Sequence, residues 1–205
     1  MPSAVRISAL LRNAGVSRRS RLVLYPAAFG FVQIARVWMV LDTLGLGAQS
    51  SILAGGVTEI RPPALASATS LDLQYCGQRL ANLQFVLAHQ NRRHVVLVDA
   101  RARFLFLGVA IEGQGERAGH IPGAINLPYT RLLGGGRLLA RAALRGRFLQ
   151  AGVRPGDALI VYCHSGQKAG VVYLAARLLG YDVRLFPGSW QEWSRHQELP
   201  AATGP

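Results

Sequence analysis

The 205-residue sequence predicts an α/β fold, with a mostly parallel sheet covered by helices on both faces. Three observations carry this expectation. Short apolar runs bounded by turn residues alternate with stretches of helical period. The runs HVVLV (94–98) and ALIVY (158–162) are nearly continuous in apolar residues, as strands buried on both faces must be. Half of the residues are hydrophobic, which supplies a sizeable core and excludes a disordered chain.

The elements follow in order. Ile7 to Asn13 has a short helical pattern that stops at Gly15. RLVLY (21–25) is an apolar run bounded by Pro26, hence a strand. Phe31 to Leu44 places Val32, Ala35, Val37, Val40 and Leu41 at helical spacing and stops at Gly45. Ser51 to Leu53 reads as a strand ending at Gly55-Gly56, and Arg61 to Thr69, with Pro62-Pro63, reads as a linker. Beyond it, Gln78 to His89 is helical by pattern, and HVVLV is a strand ending at Asp99. Arg101 to Arg117 is irregular and polar, and GHIPGAINLP (119–128) is a turn followed by a short strand. Arg137 to Gln150 reads as helix, ALIVY as strand, Gly170 to Leu179 as helix and Asp182 to Phe186 as strand. Pro187-Gly188-Ser189 then turns the chain into Trp190 to Trp193.

Composition narrows the function classes. The chain carries 23 Lys and Arg against 10 Asp and Glu, a net charge of +13, which favours anionic partners without choosing among them. All of the basic residues but Lys168 are arginine. Two cysteines exclude a disulfide scaffold and a four-cysteine zinc site, so no metal is expected. The apolar stretch 22–41 holds Pro26, Gln33 and Arg36, which argues against a membrane span. No signal-peptide pattern opens the sequence, and a cytoplasmic location is the expectation.

In a parallel sheet, ligands sit beyond the carboxyl ends of the strands. Asp99 and Cys163 both fall there. Cys163 is followed by His164, Ser165, Gly166, Gln167 and Lys168, and then by a helix. A loop between a strand and a helix N-terminus turns backbone N–H groups toward one point, where the helix dipole adds positive potential. A sulfur held there is expected to have a lowered pKa and to serve as a nucleophile. A small buried residue ending a strand is the competing reading of Cys163. Helix capping, or a salt bridge with Arg101, is that of Asp99. His120 reads as a packing residue, because a thiolate needs no general base.

The blocks VVLVDAR, GHIPGAINLPY, YCHSGQKAG, AARLLGYDVRLFPGSWQEW and ELP, in this order and spacing between residues 95 and 200, resemble a rhodanese domain, a sulfurtransferase family. They are most similar to the catalytic second domain of tandem-domain sulfurtransferases. The resemblance implies a rhodanese-like fold with a catalytic domain over residues 78–205 and a linker at 61–77. Residues 1–60 would be a partial, cysteine-less first repeat, since RVWMVLDTLGLGAQSSILAGGV resembles the last helix and strand of the inert repeat. No leading Asp-containing strand and no GHIPGA-like block precede it.

The resemblance also implies a mechanism. Cys163 would take the outer sulfur of thiosulfate as a persulfide and pass it to cyanide or a thiol, with no cofactor. His164, Ser165, Gly166, Gln167 and Lys168 would bind the donor, and Asp99 would support the loop. The family often has an arginine where this chain has Leu105, and Arg103 is the candidate to replace it. The loop keeps the Ser165-Gly166 of mercaptopyruvate enzymes but differs at His164, Gln167 and Lys168, so 3-mercaptopyruvate remains an alternative donor and sulfur relay an alternative role. Cysteine phosphatases need Cys-x5-Arg, and the sixth residue after Cys163 is Ala169. An inactive module binding an anionic partner is the alternative of another class. Nucleic acid is open but not favoured, and no membrane partner is expected.

Overall fold

A computed structural model describes residues 1–25, 30–53 and 70–205. The expected loop after Tyr25, the strand end at Gly55-Gly56 and the linker 61–69 lie outside the described residues. The chain divides into two compact units, Met1–Arg79 and Leu80–Pro205.

The first unit runs α1 (Ala4–Asn13), β1 (Leu22–Leu24), α2 (Gly30–Thr43) and β2 (Ser50–Ile52). Ser3 caps α1 by accepting the Arg6 N–H, the role short hydroxyl side chains fill at helix starts. β1 and β2 pair in parallel, with α2 as the crossover. α2 buries Ile34, Ala35, Trp38, Met39 and Leu41, and the Trp38 indole N–H reaches the Ser50 carbonyl at 3.1 Å. Residues 70–77, counted as linker from the sequence, are bonded into this unit. The Leu73 N–H donates to Ser8 Oγ at 3.1 Å and the Cys76 N–H to the Thr43 carbonyl at 2.7 Å.

The second unit begins with α3 (Leu83–His89), β3 (Val95–Asp99), α4 (Arg103–Phe106) and β4 (Ile125–Asn126). A small hairpin, β5 (Leu133–Gly134) and β6 (Arg137–Leu138), leads into α5 (Arg141–Gln150). β7 (Ala158–Tyr162), α6 (Ala169–Leu179), β8 (Asp182–Leu185) and α7 (Ser189–Trp193) follow. Four strands form one parallel sheet in the order β4-β3-β7-β8. Asp99 and Tyr162 are register partners, so β3 and β7 end level and place Asp99 and Cys163 at the same, carboxyl end of the sheet. One core cluster joins Val86 of α3, Leu97 of β3, Ile160 of β7 and Phe186 to Trp190 and Trp193 of α7.

Three local expectations change. The irregular stretch after Asp99 contains α4. The helix expected from Gln78 starts only at Leu83, where Asn82 accepts the Phe85 N–H at 2.8 Å and fixes the start. Arg137 and Leu138 belong to the hairpin rather than to α5.

The two units share a local geometry. α1, β1, α2 and β2 follow the same order as α5, β7, α6 and β8. In the first unit the Val16 N–H closes on the Leu11 carbonyl at 2.9 Å, and in the second the Val153 N–H closes on Phe148 at 3.0 Å. The Ser17 N–H then donates to Ser20 Oγ at 2.9 Å, as the Arg154 N–H does to Asp157 Oδ2 at 2.7 Å. In both stretches a tyrosine stands nine residues after that valine, followed by Pro26 in one and Cys163 in the other.

Candidate active site

Cys163 leaves β7 buried, with 1% of its surface exposed. Its Sγ accepts the Gly166 N–H at 3.1 Å. Gly166 has φ +83°, a left-handed conformation that side-chain-bearing residues avoid, and this turns its amide back toward the sulfur. The amides of Ala169, Gly166 and Ser165 all favour the anion, but burial acts more strongly, and the Asp99 charge adds to it. The thiol is therefore pushed above the ordinary cysteine value. The lowered pKa expected from the sequence considered the amides and the dipole but not the desolvation.

The cysteine is held from behind by α7. Ser189 Oγ accepts the Cys163 N–H at 3.3 Å and donates to the Phe186 carbonyl at 3.0 Å. The Trp190 and Gln191 amides donate to the Cys163 and His164 carbonyls, each at 3.0 Å. Ser189 is fully buried and has φ +57°, an uncommon conformation for a residue other than glycine. Sequence reasoning placed Ser189 only in a turn, because nothing in Pro-Gly-Ser announces a left-handed serine.

Asp99 and Arg101 form a buried pair rather than a substrate contact. Arg101 Nη2 lies 2.6 Å from Asp99 Oδ2, and its Nε bridges both carboxylate oxygens at 3.1 and 3.0 Å. The same guanidinium donates to the Gly119 carbonyl at 2.7 Å and stacks over Trp190 at 4.9 Å. Burial opposes the Arg101 charge, but Asp99 outweighs it and the net direction is upward, so Arg101 stays charged. Gly119 has φ +100°, and a Cβ there would meet the Ala202 carbonyl oxygen at 2.1 Å, so only glycine fits. His120 donates Nδ1–H to the Phe106 carbonyl at 2.7 Å in its neutral form and stacks on the Phe106 ring at 3.6 Å. Burial lowers its pKa, consistent with a packing role.

The polar loop residues divide. Ser165 and Gln167 are exposed. His164 and Lys168 are engaged by two carboxylates that sequence reasoning did not single out. Glu116 Oε1 lies 2.9 Å from His164 Nε2. Glu112 Oε1 pairs with Lys168 Nζ and lies 4.0 Å from His164 Nδ1. The available signal was scarcity, since two of only ten acidic residues stand four apart between the VVLVDAR and GHIPGA blocks.

Arg103 does not share the face that Leu105 takes. The segment is helical, so residues two apart point about 200° away from each other. Arg103 is exposed, whereas Leu105 lines a cavity of about 380 Å³ with Phe104, Ala110, Ile111, Tyr129, Glu112 and Lys168. Among the described residues no group of three or more His, Cys, Asp or Glu could hold a metal ion, and no helix is long and apolar enough to cross a membrane.

Residues 82–196 match the family model described as a rhodanese-like domain. SseB of Mycobacterium tuberculosis, which carries a provisional thiosulfate sulfurtransferase name, is 35% identical over 217 residues, spanning all of this chain and 74% of that protein. The 3-mercaptopyruvate sulfurtransferase of Escherichia coli is 30% identical over 210 residues, spanning 98% of this chain and 74% of the relative. The crystal structure of Escherichia coli SseA, described as showing the rhodanese fold of the mercaptopyruvate enzymes, superposes with a TM-score of 0.76. It is 28% identical, covering 93% of this chain and 74% of the other.

Proposed function

This chain belongs to the rhodanese-like family of sulfurtransferases, and from that premise we propose that it carries sulfur as a persulfide on Cys163. One observation carries the assignment. The buried Sγ, at the carboxyl end of a central strand, already accepts a backbone N–H at 3.1 Å from a left-handed glycine. Such a nest stabilises negative charge on sulfur without a metal or a side-chain acid.

The chemistry proceeds in two steps. Cys163 thiolate attacks the sulfane sulfur of an anionic donor, of which thiosulfate is the simplest. The donor's S–S bond breaks, sulfite leaves with the electron pair, and a new S–S bond forms at Cys163. Cyanide or a thiol then attacks the outer sulfur and regenerates the thiolate. The relatives' names offer 3-mercaptopyruvate as a second donor for the same persulfide. The first unit reads as an inert half-repeat of the same mould. The matched turns support this, as does the proline that stands in place of the cysteine.

Intact mass after incubation with thiosulfate, then after cyanide, tests the proposal. A gain of one sulfur atom that cyanide removes, absent in Cys163→Ser, is the expected result. No gain with thiosulfate or with 3-mercaptopyruvate in folded wild-type protein would overturn it.

A further inference from the structure

Resting on the persulfide assignment, the charge pattern around Cys163 says which donors the site prefers. His164 and Lys168 are the only side chains able to carry positive charge in the loop that carries the sulfur. Each already has a carboxylate partner. Glu112 takes Lys168, and Glu116 takes His164. Lys168 brings one positive charge to this rim, against the two carboxylates of Glu112 and Glu116. Compensation of Glu116 is also incomplete. Its side chain is 4% exposed, and Oε2 is buried with no hydrogen-bond donor among the described residues.

Glu116 is tied into the fold, whereas Glu112 is an exposed residue held by its pairing with Lys168. Glu116 precedes Arg117, whose guanidinium donates to the carbonyls of Leu199 at 2.6 Å, His196 at 3.1 Å, Ser194 at 3.2 Å and Trp193 at 3.4 Å. That grip fixes the backbone beside Glu116. Glu112 in turn lines the 380 Å³ cavity together with Ile111 and Lys168. Beyond these two charges the cavity wall is largely apolar, with Phe104, Leu105, Ala110 and Ile111, and Tyr129 adds an aromatic ring.

We infer that Glu112 and Glu116 are specificity-determining residues of this site. By occupying Lys168 and His164, they disfavour small dianionic sulfur donors and favour singly charged donors whose organic body fills the neighbouring apolar cavity. Thiosulfate carries two charges and no apolar surface. It must displace Glu112 from Lys168 while approaching two carboxylates. An aryl thiosulfonate carries one charge and an aromatic body. Its transfer balances in the same way: the bond between sulfonyl and sulfane sulfur breaks, the sulfinate leaves with the electron pair, and Cys163 supplies the pair for the new S–S bond.

The test compares steady-state kinetics with thiosulfate and with benzenethiosulfonate, cyanide being the acceptor. Wild type, Glu112→Gln, Glu116→Gln and the double variant are measured, with thermal melts to confirm folding. Removing each carboxylate charge is expected to lower the thiosulfate KM by about tenfold. The benzenethiosulfonate KM should move by less than about threefold. The thiosulfate gain in Glu112→Gln should disappear when Lys168→Gln is added, because the freed cation is what produces it. An unchanged or raised thiosulfate KM in the folded variants would overturn the inference. Equal gains for both donors, which would mean simple loosening of the site, would overturn it as well. Wild-type turnover with either donor separates these outcomes from failure of the persulfide itself.

Discussion

Cys163 combines two opposed influences, and their balance is measurable. Burial holds the thiol neutral, while the amides of Ala169, Gly166 and Ser165 stand ready for the anion. The thiolate is the nucleophile, so a raised pKa leaves less of it at neutrality and moves the rising limb of the rate to higher pH. Persulfide formation, followed by quenched mass spectrometry, is expected to keep rising beyond the free-cysteine value of about 8.5. A plateau already reached by about pH 7.5 would show that the amides dominate. Ser189 gives a second expectation at this scale. Ser189→Ala removes the acceptor for the buried Cys163 N–H, which costs about 1–3 kcal/mol. Ser189→Gly loses the same hydroxyl but tolerates φ +57°, and should recover about 1 kcal/mol of that loss in urea denaturation. A glycine variant less stable than the alanine variant would refute the role given to the left-handed conformation.

Among the elements, β3 and β7 do most to place the chemistry. Their level ends put Asp99 beside Tyr162, and Arg101 then ties the end of β3 to Gly119 and to the Trp190 ring. Removing the carboxylate leaves a buried guanidinium unpaired. Asp99→Ala is therefore expected to lose about 3–5 kcal/mol of stability in chemical denaturation. A loss under about 1 kcal/mol would mean that water or a neighbour replaces the carboxylate. These strands were legible in the sequence because both their faces are buried and their residues are nearly all apolar. α4 was not, since four residues carry too little periodicity to separate helix from loop. The same short helix takes Arg103 off the face of Leu105, where an extended segment would have kept it. The buried cysteine and its amide cradle could be read from a strand, a glycine and a helix start. The pairing of Glu112 and Glu116 with the loop could not, because those contacts span 48 and 56 residues and follow no local pattern.

At the scale of the whole molecule, the two units build the same turn into different sheets. β1 has one partner among the described residues, β2, whereas β7 lies between β3 and β8. The arrangement supplies an internal reference. Amide hydrogen exchange read by peptide mass spectrometry can compare two chemically similar turns within a single polypeptide, at identical temperature, pH and salt. Strand amides of β7 are expected to exchange more slowly than those of β1, since opening them disrupts two ladders instead of one. Equal rates would mean that the paired strands contribute little to local protection. The matched amides of Val16 and Val153 sharpen the comparison. They share one hydrogen-bond geometry, so a difference in their deuterium uptake reports on the surroundings of the turn rather than on the turn itself. Each turn thus serves as the other's control, under one set of conditions and in one sample.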